Sequence, residues 1–426
     1  MLTTLIPNHD GLVTTYARPG GSDYAFGDLA NPLETLDGVA RRIETSLYGN
    51  RRHQIDVTGL SDSREVLHGL VTPRTAGRDS FNLAPAHPTF LVETPWMLRA
   101  VMPTVLAIPT YSVTTEAVHD MVAITVPGAT WTTDQWAGFM LGGSGLFEGG
   151  AIDRNSGDTL WVAYAGPLTG PLAIWDYGAS LEYGTSDPLS SFQPALDLHS
   201  YGMSLVQGIR FSTLGTGAAV RVEARGGGFL YLSNCRFDGG LQLRGPGSVI
   251  MDSCYVNGLL GFDNGVEVSM RRSAVYDALA VSHGANVYYL NNRIRASGPV
   301  GHGGTGSFVG TFEVQECEIL DGTGNGVEYT GGPRSSVRDT VISGCNGDAV
   351  FATNPGKLFL SDVQGSGNGG YGLQALDGVQ VKAVGGTGVS GDLGEVKAGG
   401  LLVDTWANLP LIDACGGDPQ LVRVDS

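Results

Sequence analysis

Between residues 229 and 294 one short line of sequence returns at a fixed spacing. It reads Phe-Leu-Tyr-Leu-Ser-Asn-Cys-Arg-Phe at 229–237, Val-Ile-Met-Asp-Ser-Cys-Tyr-Val at 249–256, Val-Ser-Met-Arg-Arg-Ser-Ala-Val at 268–275 and Val-Tyr-Tyr-Leu-Asn-Asn-Arg-Ile at 287–294. Its small residue, Cys235, Cys254, Ser273 and Asn292, recurs every 19 positions. A constant period of this length marks a stacked repeat. Each line runs apolar, polar, polar, small, outward, apolar, which is strand, bend, strand and not an amphipathic helix. The line continues with Cys317 after 25 positions, Thr340 after 23 and Ser361 after 21. The longer intervals coincide with Gly-rich inserts such as 298–304, which in a solenoid fall in turns and project from one side.

A single rung cannot bury its apolar side; stacked rungs make one continuous core with strands at roughly 4.8 Å. Leu232, Met251, Met270, Tyr289, Val314, Val337 and Leu358 are expected in one core column, and Phe237, Val256, Val275, Ile294, Ile319, Ile342 and Val363 in another. The small residues are expected to run up the inside of a bend. With 65 glycines for tight turns and against helices, the expected fold is all-β: a parallel β-helix of about eight rungs, preceded by a mixed N-terminal region and a small β module. The pattern resembles the pectin-lyase-like, right-handed parallel β-helix over residues 200–385. Leucine-rich repeats fit less well, because the Leu-x-x-Leu-x-Leu line is absent.

The chain has 426 residues and a net charge of −17. An acidic balance argues against broad nucleic-acid or anionic-membrane binding, which needs a basic face. The first ten residues carry neither a basic nor an apolar leader segment, and no apolar run is long enough to span a membrane. The expected localisation is synthesis in the cytoplasm without a signal peptide. Five cysteines without a Cys-x-x-Cys pair read as buried thiols. Cys235 and Cys254 are adjacent enough for a disulfide, which a reducing cytoplasm disfavours. Phosphate, dinucleotide, zinc-protease and EF-hand motifs are absent, and the eight histidines lack metal-ligand spacing. No cofactor and no metal are therefore expected.

Four segments are expected. Residues 1–121 form an N-terminal attachment region with one amphipathic helix, its face made by Leu33, Leu36, Val39, Ala40, Ile43 and Leu47 and its end by Gly49. The basic stretch at 50–54 reads as a solvated loop or as a docking contact. Residues 122–195 form the small β module, with Trp131, Trp136 and Trp161 either in its core or stacking on sugar. Its run of Trp, polar turn, aromatic-small-Gly step and Ile-x-x-Asn resembles a unit of phage and phage-like structural proteins. Residues 196–385 form the β-helix and 386–426 a C-terminal cap. That cap resembles the closing segment of β-helical phage fibres, with Trp406, Leu409 and Leu411 covering the last rung.

The bend position before the small column reads Asn234, Ser253, Arg272, Asn291, Glu316, Asp339, Leu360. Glu316 and Asp339 fall on neighbouring rungs, about 5 Å apart along the axis. Paired carboxylates near that separation suit a retaining glycosidase, one as acid/base and the other as nucleophile. Glu318 is expected beside them, and Arg338 to steer an acidic sugar. The competing reading is that solvated bends carry charges at random. The resemblances imply a tail fibre, spike or appendage of a phage or phage-like particle, joined to other particle or tail proteins through its N-terminal region and contacting surface polysaccharide. The alternatives are a polysaccharide lyase or glycoside hydrolase on the same fold, and a cytoplasmic scaffold without a glycan partner. A homotrimer is implied by resemblance alone, since no coiled-coil heptad is present to enforce one.

Overall fold

A computed structural model describes residues 12–65 (except 37, 40, 41 and 43–51), 89–91, 96–115, 122–143, 150–163, 168, 170–184, 196–200, 203–213, 220–224, 228–258, 260–263, 265–277, 279–281, 285–296, 300–302, 311–377, 379–384, 388–391, 394–398 and 401–402. The chain folds as a parallel β-helix with three faces, a first sheet of 13 strands and a second and third of 11 each. One turn runs Phe229–Ser233 in the first sheet, Arg236–Asp238 in the second and Leu241–Arg244 in the third. The next turn begins 19 residues on, with Ser248–Asp252 parallel to Phe229–Ser233. The expected about eight rungs undercount the coil, because strands before residue 196 and after 385 join the same sheets.

The register follows the sequence period. Leu232 pairs with Met251, Met251 with Met270, Met270 with Tyr289, Tyr289 with Val314 and Val314 with Val337. Phe237 through Ile342 stack in the second sheet in the same manner. All are buried. The last rung departs from expectation by two residues. Leu360, not Leu358, pairs with Val337, and Gln364 pairs with Val341, so Val363 takes the small position in place of Ser361. A β-bulge between Gly332 and Ser335 absorbs an extra residue in the preceding strand. Within the Gly-rich insert, Val300–His302 is a strand of the third sheet rather than part of a turn.

Stacking starts well before the visible repeat. Leu12–Tyr16, Arg52–Asp56 and Trp96–Arg99 lie in register in the first sheet, and Trp96–Arg99 pairs with the strand Met203–Gln207. The basic stretch is thus a strand from Arg52 on, not a loop. The expected helix is helical at Leu36, Gly38, Val39 and Arg42; the rest, with Gly49, lies outside the described residues, as do Trp406, Leu409 and Leu411. Thr35 caps it, its Oγ1 accepting from the Gly38 N–H at 3.0 Å. Asp23 in turn accepts from Thr35 N–H and Oγ1. Leu33, Leu36 and Val39 are buried in the core that also holds Ile55 and Leu98, so this segment packs onto the first described turns of the coil.

The β module spans Thr104 to Trp175 rather than 122–195, as a seven-stranded antiparallel sheet. It is inserted into one turn, between Trp96–Arg99 of the first sheet and Ala179–Gly184 of the second. Asn155 explains its Ile-x-x-Asn signal: its Oδ1 accepts from the Trp136 N–H at 2.7 Å and its Nδ2 donates to the Thr132 carbonyl at 2.8 Å. Trp131 and Trp136 pack edge to face at 6.3 Å against the module core. The guanidinium of Arg154 lies 4.6 Å from the centroid of Trp161.

Candidate functional site

The corner between the first and second sheets carries the chain's unusual backbone. Asn234, Ser253, Arg272, Asn291, Glu316, Asp339 and Asp362 all have φ between 45° and 53°. This left-handed conformation costs roughly 1–2 kcal/mol for a residue with a Cβ. The stack offsets that cost. Each bend N–H donates to the carbonyl ahead of the next bend, as from Asn234 to Asp252 at 3.0 Å and from Asp339 to Ser361 at 2.8 Å. The following N–H turns inward and needs an acceptor that the next turn supplies. Cys254 N–H donates to Ser273 Oγ at 3.0 Å, Ser273 N–H to Asn292 Oδ1 at 2.9 Å, Asn292 N–H to Cys317 Sγ at 3.4 Å and Cys317 N–H to Thr340 Oγ1 at 3.5 Å. The small column is therefore a buried hydrogen-bond ladder.

Glu316 and Asp339 stand on consecutive turns in this bend column. Glu316 is tethered there: its carboxylate accepts from Asn291 Nδ2 and Gln315 Nε2, each at 2.9 Å. Leu360 is not a bend residue; it is buried, and Asp362 takes the position. Glu318 is not beside the pair either. It lies on the outer face of the second sheet, covered by the module, with Oε2 2.8 Å from Arg293 Nη2. Arg293 is 1% exposed, and its Nε lies 3.4 Å from the fully buried Asp153 of the module. Arg295 approaches the same carboxylate at 3.2 Å. These charges join module to coil.

Sequence reasoning missed a different cluster, on the outer face of the first sheet toward the C-terminal turns. A concavity of about 380 Å³ there is lined by Arg334, Lys357, Phe359, Gln380 and Lys382 over a floor of Leu358 and Val381. Arg334 lies within the bulge and is exposed. The guanidinium carbons of Arg334 and Arg338 lie 5.5 and 5.4 Å from the centroid of Phe359. Lys382 sits in register with Phe359, and Lys357 with Gln380. Arg334, Lys357 and Lys382 are exposed. Among the described residues, no carboxylate pairs with any of these four cations, whereas Arg210, Arg236, Arg271, Arg272 and Arg293 all have one. The available signal was composition: all three lysines of the chain fall at 357, 382 and 397.

Among the described residues no group of three or more His, Cys, Asp or Glu could hold a metal ion, and no helix is long and apolar enough to cross a membrane.

Residues 218–387 match the family described as a right handed beta helix region. No curated protein matches the chain. A solved structure described as a glycoside hydrolase aligns at 8% identity over 88% of this chain and 95% of that one, with a TM-score of 0.31. Likeness at that level transfers no activity.

Proposed function

We propose that this chain is a recognition rod of a phage or phage-like particle, a tail fibre, spike or appendage whose coil contacts surface glycan. The observation that carries the reading is the unbroken stacking of the first sheet from Leu12–Tyr16 to Leu401–Leu402, a stiff element whose outer face bears the basic, aromatic-centred concavity. Attachment through the N-terminal region is supported by apolar surface at that end: Tyr24 is 101% exposed, Leu29 67% and Phe26 53%. An isolated coil gains nothing from exposing large apolar groups so close together. The test is to label the chain in assembled particles and compare the parent with a Tyr24→Ser, Phe26→Ser, Leu29→Ser variant. Label at a projecting appendage, and a folded variant that fails to join the particle, are the expected results. Absence of the chain from particles would defeat the reading.

The stacking of Glu316 on Asp339 favours a second reading, a glycoside hydrolase with one carboxyl as acid/base and the other as nucleophile, or a polysaccharide lyase with a carboxylate as base. Release of new chain ends from surface polysaccharide, lost in both Glu316→Gln and Asp339→Asn, would establish it. Undiminished activity in both variants would exclude that site.

A further inference from the structure

We infer that the concavity around Phe359 is an anion subsite, and that the glycan it takes is an acidic polysaccharide carrying carboxylate or sulfate groups. This rests on the recognition reading above and names its ligand class.

Three features carry it. The first is charge without a partner. On a chain of net charge −17, guanidinium groups elsewhere on the coil find carboxylates: Asp238 takes Arg210 and Arg236, and Asp252 takes Arg271 and Arg272. Arg334, Arg338, Lys357 and Lys382 are brought together by three consecutive turns, Gly332–Arg338, Gly356–Ser361 and Val379–Val384, and none of them pairs with a carboxylate among the described residues. The Arg338 Nε is moreover buried without a hydrogen-bond partner. Concentrating like charges this way costs repulsion that a bound anion removes.

The second feature is preorganisation. Phe359 holds both guanidinium groups against its ring by cation–π contact. An arginine fork already fixed loses less freedom on binding a carboxylate or sulfate. The third is periodicity. Successive turns repeat at about 4.8 Å, so the cations step along the coil axis turn by turn around Phe359 as a staggered row, Lys382 standing in the column of Phe359 and not of Lys357. An extended polymer with an anionic group on successive sugars matches such a row; a single small anion uses only part of it. A duplex nucleic acid needs a longer basic face than three turns of an otherwise acidic rod provide.

The experiment measures binding of the full chain to alginate oligomers, dextran sulfate, neutral dextran and poly-glutamate, alongside a panel of neutral surface polysaccharides, at low and high salt. Alginate or dextran sulfate is expected to bind and dextran not to. Affinity should weaken with salt, because these charges are exposed. Lys357→Glu with Lys382→Glu should lower it at least about tenfold, the scale of losing a charge-assisted contact or two. Both side chains are exposed, so the melting temperature should match the parent; Lys357→Gln with Lys382→Gln provides a milder pair. Parent-like affinity in both variants would overturn the assignment to this concavity. Equal affinity for poly-glutamate would overturn glycan selectivity. Binding confined to neutral polysaccharides would overturn the anionic class and leave the recognition reading standing, whereas binding to no glycan at all would defeat both.

Discussion

A left-handed bend turns one amide inward on every turn, and this explains why the small column is polar. Ser273 Oγ accepts from Cys254 N–H, and Asn292 Oδ1 from Ser273 N–H, while Asn292 Nδ2 donates to the Met270 carbonyl at 2.8 Å. Ser273→Ala should therefore cost about 1–3 kcal/mol in denaturant unfolding, the penalty of an unpaired buried donor, although only one oxygen is lost. A neighbouring residue makes stability depend on pH. Burial opposes ionisation of Asp252, but hydrogen bonds from Arg272 and Tyr231 and the charges of Arg272 and Arg271 outweigh it and hold the carboxyl below its ordinary 3.8. A folded-state value below the unfolded one contributes stability above the unfolded value, lost as pH falls through the folded value. Asp252→Asn should thus be less stable than the parent at pH 6, with the gap closing as the pH drops below 3.8. A gap independent of pH would show that the ion pairs contribute nothing.

At the scale of elements, the inserted module is held by a few buried groups. Arg236 Nη1 donates to the Ala137 carbonyl at 3.1 Å, and the Tyr177 hydroxyl to the Gly138 carbonyl at 2.6 Å. Burial drives the Tyr177 hydroxyl pKa well above its ordinary value, so it stays a donor. Asp153→Ala leaves the Arg293 guanidinium buried with one fewer carboxylate, and breaking such a buried pair costs about 3–5 kcal/mol. Hydrogen exchange should speed up across Gly150–Ser156 while Thr311–Gln315 stays protected; unchanged exchange in the module would refute the anchoring role. Gly138 has φ 81°, and a Cβ there would lie 2.5 Å from Arg236 Nη1. Gly138→Ala should loosen the same interface, read by proteolysis of the module.

At the scale of the whole molecule, the coil is a one-dimensional stack in which each turn mainly contacts its neighbours. The module leaves and returns at one corner: Gly178 approaches Val101 so closely that a Cβ would meet its carbonyl oxygen at 2.2 Å. Replacing residues 102–177 by two glycines should hence leave an elongated β-rich particle in small-angle scattering and circular dichroism, with a lower melting temperature because Tyr255 and Ala274 lose their cover. Collapse to an unfolded chain would mean that the module is integral to the stack. Met270→Asp, by contrast, buries a carboxylate at the axis and should cost several kcal/mol, lowering the melting temperature of the whole coil.

The 19-residue period by itself determined the fold from residue 229 to 294, because a regular strand-bend-strand line has one way to repeat its burial pattern. The continuation of the line at intervals of 25 and 23 residues placed Glu316 and Asp339 on consecutive turns. What it left open was decided by pairing. The strands Leu12–Tyr16, Arg52–Asp56 and Trp96–Arg99 belong to the same sheet, yet the long connections between them erase any period, so the coil looked shorter than it is. The register that spacing assigned to Leu358 and Ser361 is two residues off, because Val337 pairs with Leu360 at the same 23-residue interval that separates Val314 from Val337. Glu318 read as a neighbour of Glu316, but an inserted module, invisible to any periodicity in the coil, covers it, and it pairs with Arg293 of the preceding turn. The cluster of Arg334, Lys357 and Lys382 spans up to 48 residues of sequence and becomes one surface only because parallel stacking sets turns side by side. Local pattern specifies which residues face inward; which of the outward ones meet is a property of the stack.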